Sequence, residues 1–246
     1  MINLPIFYYH HISNSSQVNS LPNMYVSPDQ FDQQMFFFKK MGFHCLSLSE
    51  VITNHLLNKL QPENSFVLTF DDGNEDIYEY AIPILKKYGF VATIFVVAQF
   101  VKGNYKNYLS WQKLRELAQN NFTIGSHTFT HSRLSSLDSS VVKYELNESK
   151  KVIEDQLGLS VDLLAYPYGY SNEIVRRIAR ESGYRAALGT SLGKWSLYNL
   201  WRIPVKEREN KLIHYLKARG IYYLFISFRE QTILGRLTRK WKEGRG

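Results

Sequence analysis

One cysteine, Cys45, stands in 246 residues, which excludes an internal disulfide framework and any thiolate-rich metal cluster. A lone thiol fits a reducing compartment. No apolar run reaches the roughly 18 residues that a membrane-spanning helix needs, and no stretch rich in Pro, Gly or Ser divides the chain. The start, MINLPIFYYHHIS, lacks a basic segment, a signal-length apolar run and a small-residue cleavage site, so export by the usual signal is not expected and the chain reads as cytoplasmic. Acidic residues are also short: 22 Asp and Glu stand against 30 Lys and Arg, a formal net charge of +8. That excess is local. Residues 217–246 carry eight Lys or Arg against Glu230 and Glu243, whereas residues 1–216 hold 22 basic and 20 acidic groups. A nearly neutral body argues against a nucleic-acid-binding domain.

What is present suffices for one sizeable core, with 44% hydrophobic and 15% aromatic residues. The expected organisation is a main domain over 1–225 and a basic amphipathic tail over 226–246. In that tail Ile233, Leu234, Leu237 and Trp241 interleave with Arg236, Arg239, Lys240 and Lys242. Such a pattern suits a solvated helix, or a segment lying on an anionic membrane at the inner leaflet. Nothing in the sequence indicates an oligomeric state.

The body alternates strand and helix patterns. LPIFYYH reads as a first strand, and VSPDQFDQQMFFFKKMGF as a helix with Ser27 as N-cap, Pro28 at its first position, Gln30 closing a capping box and Gly42 as stop. NEDIYEYAIPILKKYGF is a second helix that Pro83 should bend or shorten. VATIFVVAQF reads as an apolar strand, SWQKLRELAQNN as a helix, FTIG as a strand and Ser139–Leu157 as a long helix. VDLLAYPYG, NEIVRRIARESG and RAALGTS continue the alternation. This order implies a parallel sheet, open or closed into a barrel, with active groups at the strands' carboxyl ends.

Two constellations fall at such ends. In SFVLTFDDGNED the buried strand residues Phe66, Val67, Leu68 and Phe70 run into Asp71 and Asp72 before Gly73 and Asn74. Adjacent carboxylates in a partly desolvated place repel unless a proton, cation or metal neutralises one. In FTIGSHTFTHSRL, His127 and His131 stand four apart, a spacing at which two imidazoles can point the same way on one helical turn. One carboxylate and two imidazoles, with positions left for water and substrate, form the donor set of a catalytic divalent site. Zinc suits these donors, and cobalt, nickel or iron could take the same set.

TFDDG, then HTFTH, then AYPYG resembles the NodB-type polysaccharide deacetylases, carbohydrate esterase family four, over roughly residues 5–205. That resemblance implies a distorted (β/α)7-type barrel and a metal-dependent deacetylase of N-acetylhexosamine units in poly- or oligosaccharides; a tail lying on the inner leaflet would extend these to lipid-linked saccharides. It assigns Asp72, His127 and His131 to the metal and Asp71 to the general base. The N-terminal FYYHHIS is similar to the branch that deacetylates poly-N-acetylglucosamine, with His10 as the acid; LIH at 212–214 offers His214 as a rival. The third motif departs from the family pattern, with Ala165 where an arginine would orient the base. Arg202 in LWRIPV is the candidate replacement. The resemblance gives Tyr168 an oxyanion-stabilising backbone N–H, fixed by Pro167, and places Tyr166 and Tyr170 along the sugar groove or in packing. The alternatives are an O-acetyl esterase, and a non-catalytic glycan-binding protein for which the missing arginine is the main argument.

Overall fold

Every strand of the main sheet pairs parallel with its neighbours, as expected of a chain that alternates buried strands with covering helices. The computed structural model describes residues 4–14, 24–190, 196–206 and 211–221, without the side chains of 211, 212 and 214. The first half runs β1 (Ile6–Tyr9), β2 (His11–Ile12), β3 (Tyr25–Val26), α1 (Pro28–Lys40), β4 (His44–Cys45), α2 (Leu48–Leu56), β5 (Ser65–Phe70) and a π-helical turn (Ile77–Ala81) leading into α3 (Ile82–Tyr88). Then follow β6 (Thr93–Val96), α4 (Ala98–Lys102), α5 (Trp111–Gln119), β7 (Thr123–Ser126), α6 (Ser139–Leu157), β8 (Leu163–Ala165), α7 (Glu173–Glu181), β9 (Ala186–Gly189), β10 (Leu200–Trp201), β11 (Ile203–Pro204) and α8 (Lys211–Ala218). The tail at 226–246 lies outside the described residues.

The sheet order is β10-β9-β8-β7-β6-β5-β1-β11. Its two ends are consecutive in sequence: Leu200 and Trp201 pair with β9, Ile203 and Pro204 pair with β1, and only Arg202 separates them. One extended segment therefore serves both edges and nearly closes the sheet into a barrel, with its seam at Arg202. Strand alternation divides the core into two layers. Ile6, Val67, Phe95, Leu163, Ala165, Ala186, Leu188 and Leu200 fill the lumen, together with Leu48, Val51 and Ile52 of α2. Phe7, Tyr9, Phe66, Leu68, Phe70, Ile94 and Ile124 face the outer helices. There the Phe66 ring stacks on Phe38 of α1 with centroids 4.2 Å apart. Gly125 leaves space for the Phe95 ring, which a Cβ at that position would approach to 2.5 Å.

Several local expectations meet their physics here. Ser27 caps α1 by accepting from the Gln30 N–H at 3.3 Å. The reciprocal half of the capping box is absent, since Gln30 Oε1 is buried without a hydrogen-bond partner. Pro83 lies at the start of α3 and the chain before it widens into the π turn, which accommodates the missing N–H instead of ending the helix. The apolar run 91–100 is not one strand: it leaves the sheet after Val96 and begins α4 at Ala98. Helix α6 has the bounds read from the sequence. No helix among the described residues is long and apolar enough to cross a membrane.

Candidate active site

Alternation along β5 determines which way Asp71 faces. Phe66, Leu68 and Phe70 point out and Val67 points in. Asp71, whose N–H extends the ladder to Tyr9 O at 2.9 Å, continues the inward series and is 2% exposed. It meets Arg202 from the seam in a two-pronged ion pair, Nη1 to Oδ1 at 2.6 Å and Nη2 to Oδ2 at 2.8 Å. The guanidinium also donates to Thr69 Oγ1 at 3.3 Å and lies 4.8 Å from the Tyr8 ring centroid. Burial alone would raise the Asp71 carboxyl; the positive field and hydrogen bonds of Arg202 overcome that and hold it below the ordinary carboxylate range.

Asp72 breaks the alternation. Its φ of +68° turns the next carboxylate sideways. Its Oδ1 then lies 3.4 Å from His127 Nε2 and 3.3 Å from His131 Nε2. Burial opposes ionisation of Asp72, and the imidazoles of His131, His127 and His10 outweigh it, keeping the carboxyl far below its usual range. His127 is buried, and desolvation lowers its affinity for a proton against the pull of Asp71 and Asp72. Its Nδ1 is 2.8 Å from Ala165 O. Donation there leaves Nε2 as a lone pair facing Asp72, the tautomer a metal ligand requires.

The residues fit a divalent ion. One ligand atom from each of Asp72, His127 and His131 lies within 4.8 Å of the others, and the buried Asp72 Oδ1 accepts no hydrogen bond. The two histidines do not ride on a helical turn, as their spacing suggested. The segment is a loop in which Thr128 and His131 both have positive φ, +68° and +64°, a conformation that costs about 1–3 kcal/mol at a non-glycine residue. With Asp72, Tyr168 makes a fourth residue of the site at positive φ, +59°. It is exposed, and its ring meets His131 edge-on at 5.0 Å between centroids.

A family profile described as Polysaccharide deacetylase matches residues 58–187, more than half of the chain. The chain belongs to the polysaccharide deacetylase family. YxkH of Bacillus subtilis (strain 168), assigned to the polysaccharide deacetylases, is 31% identical over 206 residues, covering 82% of this chain and 71% of that one. The poly-beta-1,6-N-acetyl-D-glucosamine N-deacetylase of Staphylococcus aureus (strain MRSA252) is 30% identical over 183 residues, or 69% of this chain; the match spans 62% of that enzyme's length. Among solved structures, the Streptococcus pyogenes deacetylase PplD in complex with acetate superposes with a TM-score of 0.76 at 31% identity, covering 82% of this chain and 92% of that one. The nearly closed parallel barrel is thus the fold of the polysaccharide deacetylases.

Of the residues singled out in the sequence, Asp71, Asp72, His127, His131 and Arg202 converge, and His10 lies close enough for its charge to act on both aspartates. Asn74 ties the His10 backbone to the Asp71–Asp72 loop by donating to His10 O at 3.2 Å. His11, its neighbour, is turned to Asp76 at 2.7 Å. Position 165 is an alanine, and the guanidinium that meets Asp71 comes from Arg202. Tyr166 is the exception. It is fully buried, with its hydroxyl donating to Tyr198 O at 3.0 Å and burial raising its phenol pKa, so it packs and leaves no face for a sugar. Pro167 is buried at the start of the turn, and Tyr170 lies under the Arg133 guanidinium, 4.4 Å from its ring centroid. His214 falls in α8, with its side chain outside the described residues.

Two neighbours of the site carried no motif. Tyr108 is linked to the Asp72 loop by its bridge to Asn74 and by the Leu109 N–H to Gly73 O bond of 2.9 Å. Its phenol pKa is raised by burial and by Asp72. Glu145 sits on the buried stripe Val142, Leu146, Ser149, Ile153 of α6, where an acidic residue is the one legible sign of a partner. The Tyr168 turn is braced from behind: Gly169, at φ +73°, would bring a Cβ within 1.9 Å of Thr190 Oγ1. Gly169→Ala is expected to lower stability by about 1–3 kcal/mol, read as a lower midpoint in thermal denaturation.

Proposed function

We propose that this polysaccharide deacetylase is a metal-dependent N-deacetylase of N-acetylhexosamine-containing poly- or oligosaccharides. The observation that carries the reading is the pairing of a buried, arginine-held aspartate with an adjacent Asp-His-His donor set. Asp72, His127 and His131 would hold a divalent ion, zinc by the character of the donors, which would supply Lewis acidity when bound. Asp71 then takes a proton from the water whose oxygen bonds to the acetyl carbon. Arg202 keeps that carboxylate ionised between protons and fixes its direction. The Tyr168 N–H is the protein donor for the developing oxyanion. As the C–N bond breaks, His10 gives a proton to the sugar nitrogen, so that the products are acetate and an amine. Proton delivery matters because an unprotonated amine is a poor leaving group, whereas an alkoxide is a better one. His10→Gln is therefore expected to slow release of N-acetyl groups by about 100-fold, with a smaller loss on an O-acetyl ester of the same sugar.

The deciding experiment measures acetate release from N-acetylglucosamine oligomers by purified protein as prepared, after chelation, and after Zn2+ or Co2+ is restored. Activity that falls and returns with the metal supports the reading. Undiminished release by protein shown to be metal-free overturns it, and release from O-acetylated glycans alone assigns the site to esterase chemistry.

A further inference from the structure

Between His127 and His131 the backbone adopts a conformation that pairs none of its N–H groups through a helix or a sheet ladder, so each requires a partner of another kind. The Thr128 N–H donates to Ser126 Oγ at 3.1 Å, and the His131 N–H donates to Thr128 Oγ1 at 3.1 Å. The N–H groups of Phe129 and Thr130 both donate to Oε2 of Glu145 at 2.9 Å, while the Thr130 hydroxyl donates to Oε1 at 2.5 Å. From the opposite side, the Thr128 and Phe129 carbonyls accept the N–H groups of Ala98 and Gln99 at the first turn of α4. Glu145 is 3% exposed and reaches the loop from the middle of α6.

We propose that Glu145 is a positioning residue that presets the two imidazoles for the metal. It touches neither ion nor substrate; it holds the strained segment between them, and so fixes the separation and direction of His127 and His131 before an ion arrives. The proposal rests on the metal-site reading above. A carboxylate suits the task because it offers several acceptor lone pairs and no donor that would oppose the two N–H groups. Alanine would strand both in the interior, and the segment would relax toward ordinary backbone angles, turning His131 out of register with His127. Glutamine can keep its oxygen on the two N–H groups and donate its amide to Thr130 Oγ1, whose own proton then goes to Ser132 Oγ, 2.7 Å away. Glutamine should therefore rescue what alanine loses.

The test is the Zn2+ affinity of the full chain, by competition with a chromophoric chelator, for wild type, Glu145→Ala, Glu145→Gln and Glu145→Asp, with thermal melts of each metal-free protein. Loss of such a partner to a metal-ligand segment costs about 10–100-fold in affinity, and that is the expectation for Glu145→Ala, with Glu145→Gln near wild type. Aspartate, one methylene shorter, cannot hold both N–H groups and should bind more weakly than glutamine; that comparison decides if the alanine variant does not fold. Wild-type affinity in Glu145→Ala or Glu145→Asp overturns the proposal, as does equal weakening in the glutamine and alanine variants. A wild-type chain that binds no Zn2+ overturns the metal reading and this proposal together, whereas wild-type binding matched by Glu145→Ala removes this proposal alone.

Discussion

Asp71→Asn is expected to lower acetate release from N-acetylglucosamine oligomers by about 10³–10⁴-fold, the upper part of what a positioned base contributes, while Zn2+ binding persists. The two expectations separate because Asp71 faces the lumen and Arg202, whereas the proposed metal donors are Asp72, His127 and His131. An amide in that place still accepts one guanidinium hydrogen bond, so the barrel should remain folded, but it cannot take a proton from water. Turnover is read from acetate appearance and metal content from elemental analysis of the same preparation. A variant that keeps its metal and more than about a tenth of its rate would remove Asp71 from the base role, since base contributions below tenfold fall outside the usual range.

Arg202→Met should produce the largest loss of stability. It removes one partner of a pair in which both side chains are nearly inaccessible, 1% for Arg202 and 3% for Asp71, and stranding a buried charge costs about 3–5 kcal/mol. For a chain of this size that corresponds to a midpoint lower by roughly 6–20 °C. The pH dependence has a defined sign. Asp71 is depressed in the folded protein, so its contribution is complete above the ordinary carboxylate range and is lost as the pH falls through the depressed value. The gap between wild type and Arg202→Met should therefore narrow in acid, measured with chelator present. Arg202→Lys separates charge from orientation: an ammonium restores part of the field but not the two-pronged hold, so stability should recover more than turnover.

Legibility followed the range of the forces involved. Asp71, Asp72, His127 and His131 could be found because one strand end or one short segment carries each pair. The bounds of α6 were equally plain, since nineteen residues of helical pattern end at Gly158 in the left-handed region. What could not be read was imposed from elsewhere in the fold. Thr128, a β-branched residue, gives no local hint of a φ of +68°; Glu145 and α4 hold the segment there. Tyr166 resembled Tyr168 in AYPYG, yet strand alternation at the end of β8 sends it into the core while Tyr168 emerges. Arg202 could be named only as a candidate, because the closing of the sheet, 131 positions away in sequence, brings it to Asp71.

The seam has a consequence for the order in which this protein becomes itself. During synthesis Asp71, Asp72, His127 and His131 emerge well before residue 202, and a chain halted after Gly189 would contain them all. Such a nascent barrel would have an open edge beside β1, exposed backbone there, and a carboxyl at Asp71 that burial without a guanidinium pushes toward its neutral form. Docking of the 200–204 segment seals the sheet and charges Asp71 in a single event, so that the ionised aspartate and the completed fold arrive together.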